Sequence, residues 1–248
     1  MLVNMTSNPL STTSDSASGS EAEVSPYRLS GIVYGTSMND PAMLLALGQA
    51  IDQPPYRAPP RAPVLYIKPR NTLGRSGKSV VVPHDAPELE IGASLGLVIG
   101  RTACCVREAQ ALDYLAGYTV VADLSVPHDS FYRPSIRFKA LDGSCLIGPQ
   151  VVRQHTISDP DALQLQVTVD GNVRQIASTS NMHRGVARLM ADVTEFMTLR
   201  RGDILLLGVS AGAPRAHAGQ QFTIEIAQVG RLEGALVAAA SHEQEDKA

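Results

Sequence analysis

The sequence predicts a mixed, mainly β fold. Short apolar runs bounded by turn residues recur from Ser79 to Ala227, as expected of strands buried in a sheet. Asp170-Gly171-Asn172 separates the runs Leu163–Val169 and Val173–Ile176, and Asp-Gly supplies the positive φ that a tight hairpin needs. Only Met182 to Phe196 carries a long helical spacing, with Val186, Leu189, Met190 and Val193 on its apolar face. The regular alternation of strand and helix that builds a doubly wound sheet is missing.

The elements follow in order. Leu29 to Tyr34 alternates weakly and reads as a strand. Pro41 to Ile51 is a short helix, with Asn39 or Asp40 as its cap and Pro41 in the first turn. Gln53 to Pro63 holds Pro54, Pro55, Pro59, Pro60 and Pro63, a rigid extended connector. Val64 to Ile67 is a buried strand leading into Lys68-Pro69-Arg70-Asn71-Thr72. Further strands are expected at Val80–Val82, Leu95–Ile99, Tyr118–Ala122, Ile204–Leu207 and Phe222–Ala227, with a short helix over Glu108–Leu115 and a turn at Arg200–Asp203.

Composition narrows the function classes. The chain has 248 residues, enough for one sizeable core, and a net charge of −3 with no block of Lys or Arg. That leaves no electrostatic footprint for nucleic acid. The three cysteines, Cys104, Cys105 and Cys145, make no disulfide framework, and a reducing cytoplasm is the expected compartment. No stretch approaches the roughly 18 apolar residues of a membrane span. Residues 4–25 are rich in Ser, Thr, Asn and small residues. They lack the charged and apolar regions of a signal peptide, so residues 1–26 are expected to form a disordered tail.

Chemistry concentrates in residues 114–149. Asp123 ends the apolar run Tyr118–Ala122. Beyond it come Arg133 and Arg137, then Lys139 and Asp142, then Ile147-Gly148-Pro149. Carboxylate, ammonium and guanidinium groups at strand ends and loops are what binding a dianion and stabilising an enolate require. Arg133 and Arg137 either clamp substrate carboxylates with bidentate geometry or lie solvated in their loop; the same alternatives hold for Lys68 and Arg70. His128 beside Asp129 is either an acid/base or an exposed loop histidine. Cys145 sits in an apolar context that does not favour a thiolate. No G-x-S-x-G elbow, P-loop or dinucleotide fingerprint is present.

The same stretch resembles the fumarylacetoacetate hydrolase superfamily. The resemblance is carried by Gly117-Tyr118, Asp123, Ser125, Pro127, Ser130 to Pro134, Ile136, Lys139, Asp142-Gly143, Cys145 and Ile147-Gly148. It extends over about Leu29 to Leu236 through Tyr56–Pro60, Ile67–Thr72, Leu97–Gly100, Glu195–Leu199 with Gly202-Asp203, and Gly230–Leu232. Within that superfamily it is most similar to the amino-terminal half of the decarboxylase/isomerases of 4-hydroxyphenylacetate degradation. The resemblance implies a β-roll over 76–238, a small amino-terminal α+β portion over 27–75 and a frayed tail over 239–248. It also implies enolate chemistry on a small 2-oxo di- or tricarboxylic acid. Lys139 and Asp123 are then the catalytic residues, Arg133, Arg137, Arg70 and Lys68 the substrate contacts, and the assembly a homo-oligomer or a hetero-oligomer with a second homologous subunit.

Members of the superfamily hold Mg2+ or Mn2+ on an E-x-E strand pair plus a later Asp, a donor set suited to hard dications. Anchored on Leu97–Gly100, that pair falls here on Gly92 and Ser94. Only Asp123 remains as a metal ligand, and tight metal binding by this chain alone is not expected. A literal E-x-E stands at Glu88 and Glu90, but four residues of strand displace it by ~13 Å. Pro87 and Ala86 mark the segment as a turn, so a solvated pair is expected there. The loss matches the amino-terminal half of the duplicated decarboxylase/isomerases, and a non-catalytic partner subunit is the rival reading. The His-x-x-Glu dyad of hydrolytic members has no counterpart in Ser37–Met43, which argues against an acylpyruvate hydrolase.

Overall fold

The structure is a computed structural model that describes residues 31–132 and 136–240. The expected tail over 1–26 lies outside the described residues, as do Arg133 and most of the expected carboxy-terminal tail. The first elements are β1 (Val33–Ser37), α1 (Pro41–Leu47), β2 (Val64–Lys68), β3 (Leu73–Arg75), β4 (Ser79–Val82), β5 (Leu89–Ile99) and β6 (Leu115–Ser125). After them come α2 (Ile136–Lys139), β7 (Cys145–Ile147), β8 (Val152–Arg153), β9 (Gln164–Val169), β10 (Asn172–Ser178), α3 (Val186–Thr194), β11 (Ile204–Leu206), β12 (Arg215–Ala216), β13 (Gln221–Ile226) and β14 (Gly230–Ala238).

The fold is mainly β, as expected. A large sheet runs β2-β1-β11-β5-β6-β7-β3, with β12 beside β5 and β8 beside β6. A second sheet runs β10-β9-β13-β14-β4. β1–β11, β3–β7 and β4–β14 pair in parallel and the remaining pairs are antiparallel. Strand alternation organises the core. Leu89, Ile91, Leu95, Leu97 and Ile99 of β5 join Val120, Leu124, Val167, Ile224 and Leu189 in the main core. The opposite face of the large sheet packs Val98, Val121, Cys145, Ile147 and Ile204 into a second cluster. Among the described residues no helix is long and apolar enough to cross a membrane.

Local chemistry sets the element ends. Asp40 caps α1 by accepting the Ala42 N–H at 2.9 Å, with Pro41 in the first turn. Asp170 and Gly171 take φ of 47° and 76° to turn β9 into β10. Helix α3 is shorter than its spacing predicts and begins at Val186, whose N–H donates to Asp161 Oδ1 at 2.7 Å. That cap comes from a residue 25 positions away, so the apolar periodicity extending back to Met182 gives no sign of it.

Candidate active site

Asp123 lies near the end of β6 with its side chain fully buried. Three groups converge on it. Lys139 Nζ donates to Oδ2 at 2.9 Å, and the Tyr66 hydroxyl donates to the same oxygen in a short hydrogen bond. Lys68 Nζ stands 2.9 Å from Oδ1 in an ion pair. The Lys68 hydrogen bonds go instead to Lys139 O (2.5 Å), Ser144 Oγ (3.1 Å) and Leu124 O (3.4 Å), so Oδ1 accepts no directed hydrogen bond among the described residues. Tyr66 and Lys68 alternate on β2, which brings both side chains to one face. Burial acts to raise the Asp123 pKa, but the ammonium groups of Lys139 and Lys68 and the Tyr66 hydroxyl outweigh it. The carboxyl is held well below the ordinary carboxylate range. Burial and the same carboxylate push the Tyr66 hydroxyl far up, so it stays a donor.

A cleft of about 530 Å³ opens beside this cluster. Tyr66, Lys139, Glu90, Arg215, His128 and Asp129 line it, and Met38, Met43 and Val209 supply apolar surface. The Lys139 ammonium is 4.6 Å from the Tyr66 ring centroid and its side chain keeps 13% exposure, so it faces both the carboxylate and the cleft. His128 stacks on Phe138 with centroids 5.1 Å apart, and its Nδ1 lies 2.9 Å from Val126 O. A carbonyl oxygen only accepts, so Nδ1 carries the proton. Burial pushes the Cys145 thiol up to about 12, which keeps it a thiol.

The site brings Asp123 and Lys139 together and separates the other expected residues. Lys68 lies beneath Asp123, 2% exposed, and has no face on the cleft. Arg70 is exposed in the turn after β2 and does not line the cleft. Arg137 is 79% exposed and pairs with Asp85 at 2.7 Å, also away from the cleft. The solvated E-x-E turn expected at Glu88 and Glu90 is not what forms. Strand β5 starts at Leu89, so Glu90 lies within it, half-buried and facing the cleft. Glu88 pairs with Arg215 at 3.0 Å. The expectation failed because β5 extends six residues further toward the amino terminus than its apolar run, carried there by pairing with β6 and β12. Sequence reasoning also passed over Tyr66, though its alternation with Lys68 was a usable signal, and Arg215, which only the β12–β5 pairing brings close.

The residues at the superfamily's metal position do not fit a divalent ion. Gly92 pairs with Asp123, and a Cβ at Gly92 would stand 2.6 Å from Asp123 O and 2.8 Å from Val209 Cγ2. The volume for a longer side chain is occupied. Ser94 is fully buried and its Oγ accepts the Gly208 N–H at 3.2 Å. Asp123 is neutralised by two ammonium groups, and no cluster of three or more His, Cys, Asp or Glu stands ready for a metal among the described residues. Calorimetric titration of the chain alone with Mg2+ or Mn2+ is expected to show no saturable micromolar binding; one-to-one binding abolished by Asp123→Ala would overturn this. Gly92→Ala is expected to destabilise the fold by about 1–3 kcal/mol through overpacking, read from urea unfolding.

The chain matches known proteins over most of its length. The family described as "Fumarylacetoacetate (FAA) hydrolase C-terminal" matches residues 32–237. The 4-hydroxyphenylacetate degradation bifunctional isomerase/decarboxylase of Salmonella dublin is 35% identical over 210 residues, 85% of this chain and 48% of that protein. The chain thus spans about half the length of that relative. The solved 2-hydroxyhepta-2,4-diene-1,7-dioate isomerase from Mycobacterium marinum superposes with TM-score 0.72 at 29% identity, covering 86% of this chain and 77% of that one. Fumarylpyruvate hydrolase from Pseudomonas aeruginosa, solved in complex with Mn2+ and pyruvate, superposes with TM-score 0.72 at 23% identity, covering 84% and 90%, and so shares the fold.

Proposed function

The chain belongs to the fumarylacetoacetate hydrolase family, and on that premise we propose that it is the first subunit of a decarboxylase/isomerase of 4-hydroxyphenylacetate catabolism. The reactions are decarboxylation of 5-oxopent-3-ene-1,2,5-tricarboxylate and isomerisation of 2-hydroxyhepta-2,4-diene-1,7-dioate. Both pass through a dienolate. The observation that carries the reading is Lys139, a cation fixed by the buried Asp123 and presented to the cleft. An ammonium held in place before charge develops stabilises an enolate oxygen without reorganising. Tyr66 fixes the carboxylate, and Arg215, paired on its other side with Glu88, adds a second cation at the cleft that suits a multiply charged acid. Arg133, which lies outside the described residues, is proposed as a further carboxylate contact on the sequence resemblance alone.

The filled space at Gly92 favours one other reading, a non-catalytic partner that completes the assembly of a metal-bearing paralogue. Acylpyruvate hydrolysis is disfavoured. The segment Thr36–Met43 at the cleft has no histidine, and its one acid, Asp40, is committed to the Ala42 and Ala211 N–H groups at 2.9 and 2.8 Å. The enzyme works in the cytoplasm, as a homo-oligomer or with a second homologous subunit. Assaying the purified chain on both substrates, with and without such a subunit and Mg2+, tests this. Turnover by the chain or by the assembly that falls on altering its cleft supports the first-subunit reading. Turnover indifferent to the cleft supports the partner reading.

A further inference from the structure

Resting on the first-subunit reading, we propose that Glu90 carries the proton in the isomerisation. Glu90, Gly92 and Ser94 share one face of β5, the face that meets Asp123 across the β5–β6 pair. Gly92 and Ser94 lie under Val209 and Gly208. Glu90, about 6.6 Å further along the strand, emerges into the cleft that Lys139 also lines. Its neighbour Glu88 is spent on Arg215. Among the described residues the Glu90 carboxylate makes no hydrogen bond or ion pair. A half-buried acid with no hydrogen bond or ion pair among the described residues, lining the same cleft as a fixed cation, is poorly explained by stability alone.

The charges that face it come from every element around it: Lys139 from α2, His128 from the loop after β6, Arg215 from β12 and Asp123 from β6, with the Tyr66 hydroxyl on β2. Burial raises the Glu90 pKa, and the cations only partly oppose this. A carboxyl shifted toward the working pH both accepts and returns a proton efficiently. In the step proposed, Glu90 accepts the proton of the substrate's 2-hydroxyl, and the O–H electron pair stays on the oxygen of the dienolate held by Lys139. The Glu90 carboxyl then delivers that proton to the far carbon of the dienolate, C5, as the two conjugated double bonds become the C2 carbonyl and a C3–C4 double bond. One O–H bond breaks and one C–H bond forms, with no other reactant.

The test compares the wild-type chain with Glu90→Gln and Glu90→Asp on 2-hydroxyhepta-2,4-diene-1,7-dioate, each alone and with a second homologous subunit. Glu90→Gln should lower kcat at least about 100-fold with KM within about threefold of wild type, and Glu90→Asp should recover part of it. The acidic limb of the wild-type pH–rate profile should disappear in Glu90→Gln. Melting should stay level or rise in Glu90→Gln, because a carboxyl with a raised folded-state pKa favours folding below its unfolded pKa and loses that contribution as pH rises. A variant within threefold of an active wild type overturns the role of Glu90 and leaves the first-subunit reading standing. A wild type inactive in both preparations overturns that reading, and the proposal with it.

Discussion

Replacing Asp123 with asparagine is expected to destabilise the fold by about 3–5 kcal/mol, the cost of leaving a buried charge without its partner. Both side chains of the Asp123–Lys68 pair are 0% exposed, so water cannot screen the orphaned ammonium. Lys68 would keep its bonds to Lys139 O, Ser144 Oγ and Leu124 O, which are dipoles and do not neutralise it. The double variant Asp123→Leu/Lys68→Met should recover much of the loss, because an apolar pair of similar volume removes both desolvation penalties. Urea unfolding of the three proteins decides the matter: a single variant within 1 kcal/mol of wild type would show that the pair contributes little. The same pair sets the acid limit. With the folded pKa of Asp123 depressed, its contribution is complete above the unfolded carboxylate value of about 3.9 and is lost as pH falls through the folded value. Wild-type stability should therefore decline below about pH 4 more steeply than that of the double variant.

Lys139→Ala is expected to lower turnover of the proposed decarboxylase/isomerase assembly at least tenfold, the low end for removing one preorganised donor to a developing oxyanion. Folding should survive it. Asp123 would retain Lys68 at 2.9 Å and the Tyr66 hydroxyl, so its charge stays compensated, and the Lys139 side chain borders the open cleft rather than the closed core. Lys139→Arg should not fully rescue. A planar guanidinium does not reproduce the point charge that meets both Asp123 Oδ2 and the cleft. Steady-state kinetics beside thermal melting separate the outcomes, and a folded variant at full activity would remove Lys139 from the mechanism.

The assignments that survived rest on short-range signals. The runs at Val64–Ile67, Tyr118–Ala122 and Phe222–Ala227 became β2, β6 and β13, because an apolar run between turn residues is already a strand in outline. Asp40 and Pro41 mark the start of α1 from the sequence alone. Strands β3, β7, β8 and β12 were not legible. They are two or three residues long and exist through their partners, as β12 does through Leu89 and Glu90. Strand β14, with Glu233 and Gly234 breaking its apolar pattern, pairs with β13 and β4 and showed no strand signal of its own.

The sequence by itself determined the β-rich class, the family, and the presence of Asp123 and Lys139 in one stretch, because these depend on residue identity and spacing. Only the tertiary structure decided where each cation lies. Lys68, Arg70 and Arg137 are equally plausible substrate contacts in a string of residues. Folding buries Lys68 under Asp123, pairs Arg137 with Asp85 at the surface and leaves Arg70 in an exposed turn. Likewise, alternation placed Glu90, Gly92 and Ser94 on one face of β5, but not what covers that face. Val209 and Gly208, more than a hundred residues away, close over Gly92 and Ser94 and stop short of Glu90. Strand periodicity is a local property of the backbone, whereas burial and charge pairing belong to whichever distant segment packs against it.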